Sequence, residues 1–135
     1  MIVVDTNVII YSYVDSHLQS LAVHLRGLDA HWRIPTLWRS EFLNFLGRFV
    51  TRKGCDLPAA QKYWRTAFED LQKCEQDADM GLALVIACEH GITAYDAQYI
   101  ALAHTLGTWC ITEDKVLLKK FPEHTRSLRD FCSEA

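Results

Sequence analysis

A basic excess, paired cysteines and long apolar runs are all missing from this chain. Fourteen Lys and Arg stand against seventeen Asp and Glu, a formal net charge of −3. That argues against a uniformly basic nucleic-acid coat, so any nucleic-acid contact needs its cations gathered on one face. Bound metal would cancel part of the acidity. The five cysteines (Cys55, Cys74, Cys88, Cys110, Cys132) are odd in number and scattered. They form no CxxC, and no Cys/His spacing suits zinc, which reads as reduced thiols in a reducing cytosol. The longest apolar run, Gly81 to Cys88, is far too short to span a bilayer. The first apolar stretch meets Asp5 at once, leaving no charged n-region or long h-region. A cytoplasmic protein that avoids membranes is the expectation. Prolines number three and glycines six, and no linker, repeat or low-complexity segment occurs. Residues 1–135 are expected to fold as a single domain with a sizeable core, since half of them are hydrophobic.

Periodicity places the elements. Ile2-Val3-Val4 is β-rich and apolar on both faces, as a central parallel strand should be. Asp5-Thr6-Asn7 stops it and offers N-cap groups to a helix beginning near Val8. A second helix is predicted from about His17 to Leu28, and a short strand at His31 to Ile34. Thr36 is expected to cap the next helix, with Trp38, Phe42, Phe45, Leu46 and Phe49 at helical spacing and Gly54 as its stop. Pro58 opens another helix, through about Lys73. Lys73-Cys74-Glu75-Gln76 is a polar, weak strand candidate. Helices from about Asp77 to His90 and from Thr93 to Leu106 follow, closed by Gly91 and Gly107. Thr108 to Thr112 reads as a strand, Asp114 to Lys120 as a short helix, and Thr125 to Leu128 as an edge strand. Strands alternating with helices or helix pairs imply a three-layer α/β/α sandwich around a parallel sheet.

In such a sheet, functional groups gather beyond the carboxyl ends of the strands. Asp5 and Asp114 each follow a strand, Asp96 falls in the first turn of a helix, and Glu41 lies early in another. Singly, each has an ordinary explanation. Asp5 and Asp114 sit where helix caps sit, Thr93-x-x-Asp96 has capping-box spacing, and Glu41 could be a solvated helix residue. Together they suggest a shared pocket whose mutual repulsion calls for a hard divalent cation, Mg²⁺ or Mn²⁺, bound through oxygen. Such ions clamp phosphates and generate hydroxide from water. The helical face of Glu41 continues as Asn44, Arg48 and Arg52, which suits a phosphate track leading away from a metal end.

In order, Val4-Asp5-Thr6-Asn7, Ser40-Glu41, Tyr95-Asp96-Ala97 and Thr112-Glu113-Asp114 resemble the signature of PIN-domain ribonucleases. Size and order resemble the toxin component of bacterial VapBC toxin–antitoxin pairs. The resemblance implies a parallel sheet of order 3-2-1-4-5 and an endoribonuclease mechanism in which Asp5, Glu41, Asp96 and Asp114 bind Mg²⁺ or Mn²⁺. Thr6, Asn7 and Thr112 would support them. It also implies RNA as substrate, a small antitoxin protein as partner, and a homodimer. Glu113 beside Asp114 leaves two candidates for the fourth ligand, and the family's Thr-x-Asp pattern favours Asp114. Some of the aromatics Trp38, Phe42, Phe49, Trp64 and Phe68 are expected to form a dimer or antitoxin surface.

Other classes fit less well. A phosphotransferase of the haloacid dehalogenase type needs a second Asp where Asn7 stands. A receiver domain needs an acidic pair where Asp5 is single. A non-catalytic PIN-like module, binding RNA or protein, would be expected to lack one or more of the four acids. A PIN nuclease working in RNA processing is the nearest alternative to the toxin role.

Overall fold

The computed structural model describes residues 1–134. Its sheet has four strands, all parallel: β1 (Ile2–Val4), β2 (Trp32–Arg33), β3 (Cys110–Ile111) and β4 (Thr125–Arg126), in the order β2-β1-β3-β4. Every side chain of β1 is buried, which is why that strand reads as an unbroken apolar run. Among the described residues eight α-helices surround the sheet: α1 (Thr6–Tyr13), α2 (Gln19–Leu28), α3 (Trp38–Lys53), α4 (Leu57–Leu71), α5 (Met80–His90), α6 (Ala94–Leu106), α7 (Lys115–Lys120) and α8 (Leu128–Glu134). Helix α1 packs on α2, α3 and α4, and α2 on α8; α5 pairs with α6, which lies on β1 and β3. The outcome is the expected α/β sandwich around a parallel sheet.

The weak third strand is reduced to almost nothing. After a 3-10 turn at Gln72–Cys74, Glu75 forms a single parallel bridge with Ile34. The Ile34 N–H donates to the Cys74 carbonyl at 3.0 Å, and the Gln76 N–H donates to the Ile34 carbonyl at 2.9 Å. With that bridge counted as position three, the sheet runs 3-2-1-4-5. The reason for its brevity is chemical. Trp38 Nε1 donates to the Glu75 carboxylate at 2.9 Å, and the Arg39 guanidinium pairs with it. The Glu75 side chain thus anchors the segment on α3.

Two other local expectations shift. Thr36 does not cap α3; its hydroxyl donates to Asp77 at 3.0 Å. Helix α5 begins at Met80 under a cap from Asp79, later than expected. Gly91 and Gly107 end α5 and α6 with φ of 64° and 63°, a left-handed turn that glycine enters without strain.

The aromatic stripe is mostly core. Trp38 and Phe42 are fully buried, so these two offer no partner surface. Phe49, Trp64 and Phe68 are half-buried, with Trp64 tilted against Trp38 at 5.7 Å and stacked on Phe68 at 5.4 Å. All five cysteines are unpaired. Among the described residues no helix is long and apolar enough to cross a membrane.

Candidate active site

The chain leaves β1 and turns to one side of the sheet to build β2, then returns to lay β3 on the other side. The switch in strand order thus falls between β1 and β3, and it is beyond the carboxyl ends of strands at such a switch that open parallel sheets gather functional groups. Asp5 follows β1 directly, and Thr112-Glu113-Asp114 follows β3. Hydrogen bonds knit the two loops together. Asp5 Oδ1 accepts the Thr6 N–H at 2.7 Å and so caps α1. Its Oδ2 accepts the Thr112 hydroxyl at 2.7 Å and the Asn7 amide at 3.2 Å. Thr112, wholly buried, in turn accepts the Asp114 N–H at 3.0 Å. The Asn7 carbonyl oxygen accepts the Glu113 N–H at 3.1 Å.

Glu41, in the first turn of α3, reaches the same place. Its Oε1 accepts the hydroxyls of Thr6 at 2.8 Å and Tyr99 at 2.7 Å. Asp96 stands in the first turn of α6, one turn before Tyr99, and Thr93 caps that helix by accepting the Asp96 N–H at 3.1 Å. Asp114 caps α7 through Oδ1, which accepts from Val116 at 2.8 Å and Leu117 at 3.2 Å. Glu113 points elsewhere: its Oε1 accepts the N–H of Leu128, the first residue of α8, at 2.7 Å. The adjacent carboxylates therefore hold different posts.

Burial and mutual charge both act on the acids of this group. Burial raises Asp5 from the usual carboxylate value to about 7; Thr112 and the Thr6 N–H oppose the rise, while Glu41 and Asp96 add to it. Asp96 is raised as well, first by burial, then by the negative charges of Asp114 and Glu41. Each of the four acids thus acts on at least one other. The phenol of Tyr99 is raised well above its ordinary value, by burial first and then by Glu41 and Asp5, so it stays a proton donor. Cys110, beneath the acids on β3, is raised by burial and by Asp5 and Asp96 and stays a thiol.

Among the described residues, no three His, Cys, Asp or Glu side chains converge closely enough to grip an ion as they stand. The donor set nevertheless suits a hard cation. It is all oxygen, carries repelling charge, and leaves Glu41 Oε2 and Asp114 Oδ2 without a hydrogen bond. Arg48 and Arg52 lie exposed on α3, roughly 10 and 16 Å along the helix axis from Glu41. Neither makes an ion pair among the described residues.

The family model of the PIN domain matches residues 2–123. This chain belongs to the PIN-domain family. It is 48% identical over 40 residues to Ribonuclease VapC3 of Pyrobaculum aerophilum, a match spanning 30% of each chain. It is also similar to the crystal structure of PAE2754 from Pyrobaculum aerophilum, with a TM-score of 0.79 at 22% identity, over 98% of this chain and 94% of that one. That likeness carries the fold.

Of the residues named from sequence, the PIN domain brings together Asp5, Thr6, Asn7, Glu41, Asp96, Thr112 and Asp114, and leaves Arg48 and Arg52 apart. Tyr99 was not anticipated. Its only signal is position, one helical turn after Asp96 and so on the same face, in a helix whose apolar residues make a tyrosine look like ordinary core.

Proposed function

We propose that this PIN domain is an endoribonuclease dependent on Mg²⁺ or Mn²⁺ that hydrolyses RNA phosphodiester bonds. The observation that carries the reading is the hydrogen-bonded cluster at the switch point of the sheet, in which Thr6, Thr112 and Tyr99 tie Asp5, Glu41 and the Asp114 loop together and Asp96 stands one turn before Tyr99. Asp114, not Glu113, is assigned as the fourth ligand, because Glu113 is engaged with α8. Thr6, Asn7 and Thr112 hold the acids in place. A bound cation would supply a metal-activated water and neutralise charge on the phosphate. The chain's own contribution is to fix the carboxylates on three helix starts and the end of β1, which keeps their relative positions rigid. The test is cleavage of a structured RNA with Mg²⁺ or Mn²⁺ and with EDTA in excess. Activity should vanish in EDTA and return with either ion; cleavage that persists in EDTA sinks the metal mechanism.

Arg48 and Arg52 are assigned to RNA phosphates, a contact that positions the strand without reading its bases. Replacing both with Ala should weaken binding across RNA sequences and flatten its dependence on salt. An unchanged affinity and salt slope would return the pair to an ordinary solvated face.

We further infer a toxin of a toxin–antitoxin pair, acting in the cytoplasm as a homodimer and restrained by a small antitoxin protein. The partial identity to a protein named Ribonuclease VapC3 supports this, and so does apolar surface. A cleft of about 340 Å³ between α3 and α4 is lined by Leu43, Leu46, Val50, Leu57 and Trp64. Met80, Leu84 and Val85 lie exposed on α5.

A further inference from the structure

We propose that the hydroxyls of Tyr99 and Thr6 form a paired clamp that seizes Oε1 of Glu41 and leaves Oε2 as its only oxygen for a cation. The clamp rests on the metal reading above and adds Tyr99 to it as a positioning residue. Both hydroxyls lie within hydrogen-bond reach of the same carboxylate oxygen, at 2.7 and 2.8 Å, and of one another; with one proton each they make two bonds among the three oxygens, so at least one of them always donates to Oε1. They arrive from different elements, Thr6 from the start of α1 and Tyr99 from α6, while Glu41 belongs to α3. A glutamate has three side-chain torsions, and one turn into an exposed helix it would sample several rotamers. A hydrogen-bonded pair of hydroxyls closed on one oxygen removes that freedom and leaves the other oxygen without a protein partner.

Tyr99 has a second consequence through its place on α6. It stands one turn from Asp96, so its bond to Glu41 ties the helix bearing one acid to the helix bearing another. The phenol ring is itself fully buried, so the donor cannot swing away to water. Groups that orient metal ligands in this manner typically change metal affinity by roughly 10- to 100-fold when removed.

Tyr99→Phe deletes the donor and keeps the ring. Purified metal-free protein, wild type and variant, is titrated with Mn²⁺ by calorimetry, and both are melted in EDTA and in excess Mn²⁺. The expected result is an Mn²⁺ dissociation constant roughly 10-fold or more higher in Tyr99→Phe, with the gain in melting temperature from Mn²⁺ reduced. Thr6→Val removes the other donor to the same oxygen and should weaken Mn²⁺ binding in the same direction. It carries the test if Tyr99→Phe fails to fold. Variants that melt lower in EDTA and in Mn²⁺ alike, with wild-type Mn²⁺ affinity, would overturn the clamp and leave these hydroxyls as packing. Absence of Mn²⁺ binding by the wild type would overturn the metal reading itself, and the clamp with it.

Discussion

Asp96→Asn is expected to abolish RNA cleavage while leaving the metal-free protein as stable as wild type or more so. The sign follows from the surroundings of this carboxylate. Burial and the charges of Asp114 and Glu41 raise its proton affinity more than Thr93 lowers it, so the ionised form is disfavoured in the folded chain. An amide of similar shape escapes that penalty. The cap of α6 survives the change, because the Thr93 hydroxyl accepts the backbone N–H of residue 96, and asparagine keeps a side-chain oxygen for the Thr93 bond that lowers Asp96. Saturating Mg²⁺ should stabilise wild type by about 2–3 kcal/mol at a hundredfold excess over its dissociation constant, and the variant by clearly less. Were Asp96 only a favourable charge at a helix start, its loss would destabilise by about 0.3–1 kcal/mol and Mg²⁺ would affect neither protein. Thermal melts in EDTA and in Mg²⁺ separate the two cases. A variant less stable in EDTA, beside a wild type indifferent to Mg²⁺, would reduce Asp96 to a helix-start residue. Asp5→Asn is a poorer probe of the same idea. The amide nitrogen would face the Asn7 amide and the Thr112 hydroxyl, both of which donate to Asp5, so its loss of activity would mix chemistry with misplacement.

The second large effect concerns pH. In metal-free protein, stability is expected to fall as pH rises from about 4 towards neutrality. The folded chain raises Asp5 from 3.8 to about 7. Between those values the folded state holds a proton that the unfolded state has released. Unfolding therefore becomes easier with rising pH across that window, and the loss is complete above it. Three pKa units correspond to on the order of 4 kcal/mol as a ceiling, reduced by whatever relaxation the acids achieve. Urea unfolding in EDTA at about pH 5 and about pH 8 reads the slope. Asp5→Asn should flatten that slope even though its baseline stability drops, and saturating Mg²⁺ should flatten it in wild type. Equal wild-type stability at both pH values in EDTA, or stability that rises with pH, would show that Asp5 is not held against ionisation.

Much of this site was legible in the chain because its acids sit at punctuation. Asp5 and Asp114 end strands and open helices, and Asp96 lies just after a threonine cap, so local rules alone placed them on one side of a parallel sheet. Glu41 needed more: its position early in α3 was readable, but that α3 would lean its first turn over the end of β1 is a tertiary fact. Periodicity could not separate Glu113 from Asp114, since both lie past the end of a strand; what separates them is the N–H of Leu128, fifteen residues away. Tyr99 was hidden by its company, an alanine- and leucine-rich helix in which an aromatic looks like filler. The third strand shrinks to a single bridge for a related reason. Glu75 has low strand preference, and its fate depends on Arg39 and Trp38, which approach only after α3 has docked.

The bond from Glu113 to α8 makes the last helix a latch on the acid loop. Helix α8 packs on α2, and its first N–H holds the Glu113 carboxylate. Docked on α2, α8 keeps Glu113 out of the group formed by Asp5, Glu41, Asp96 and Asp114. A helix that supplies none of the four acids thus fixes where their neighbour on the loop points.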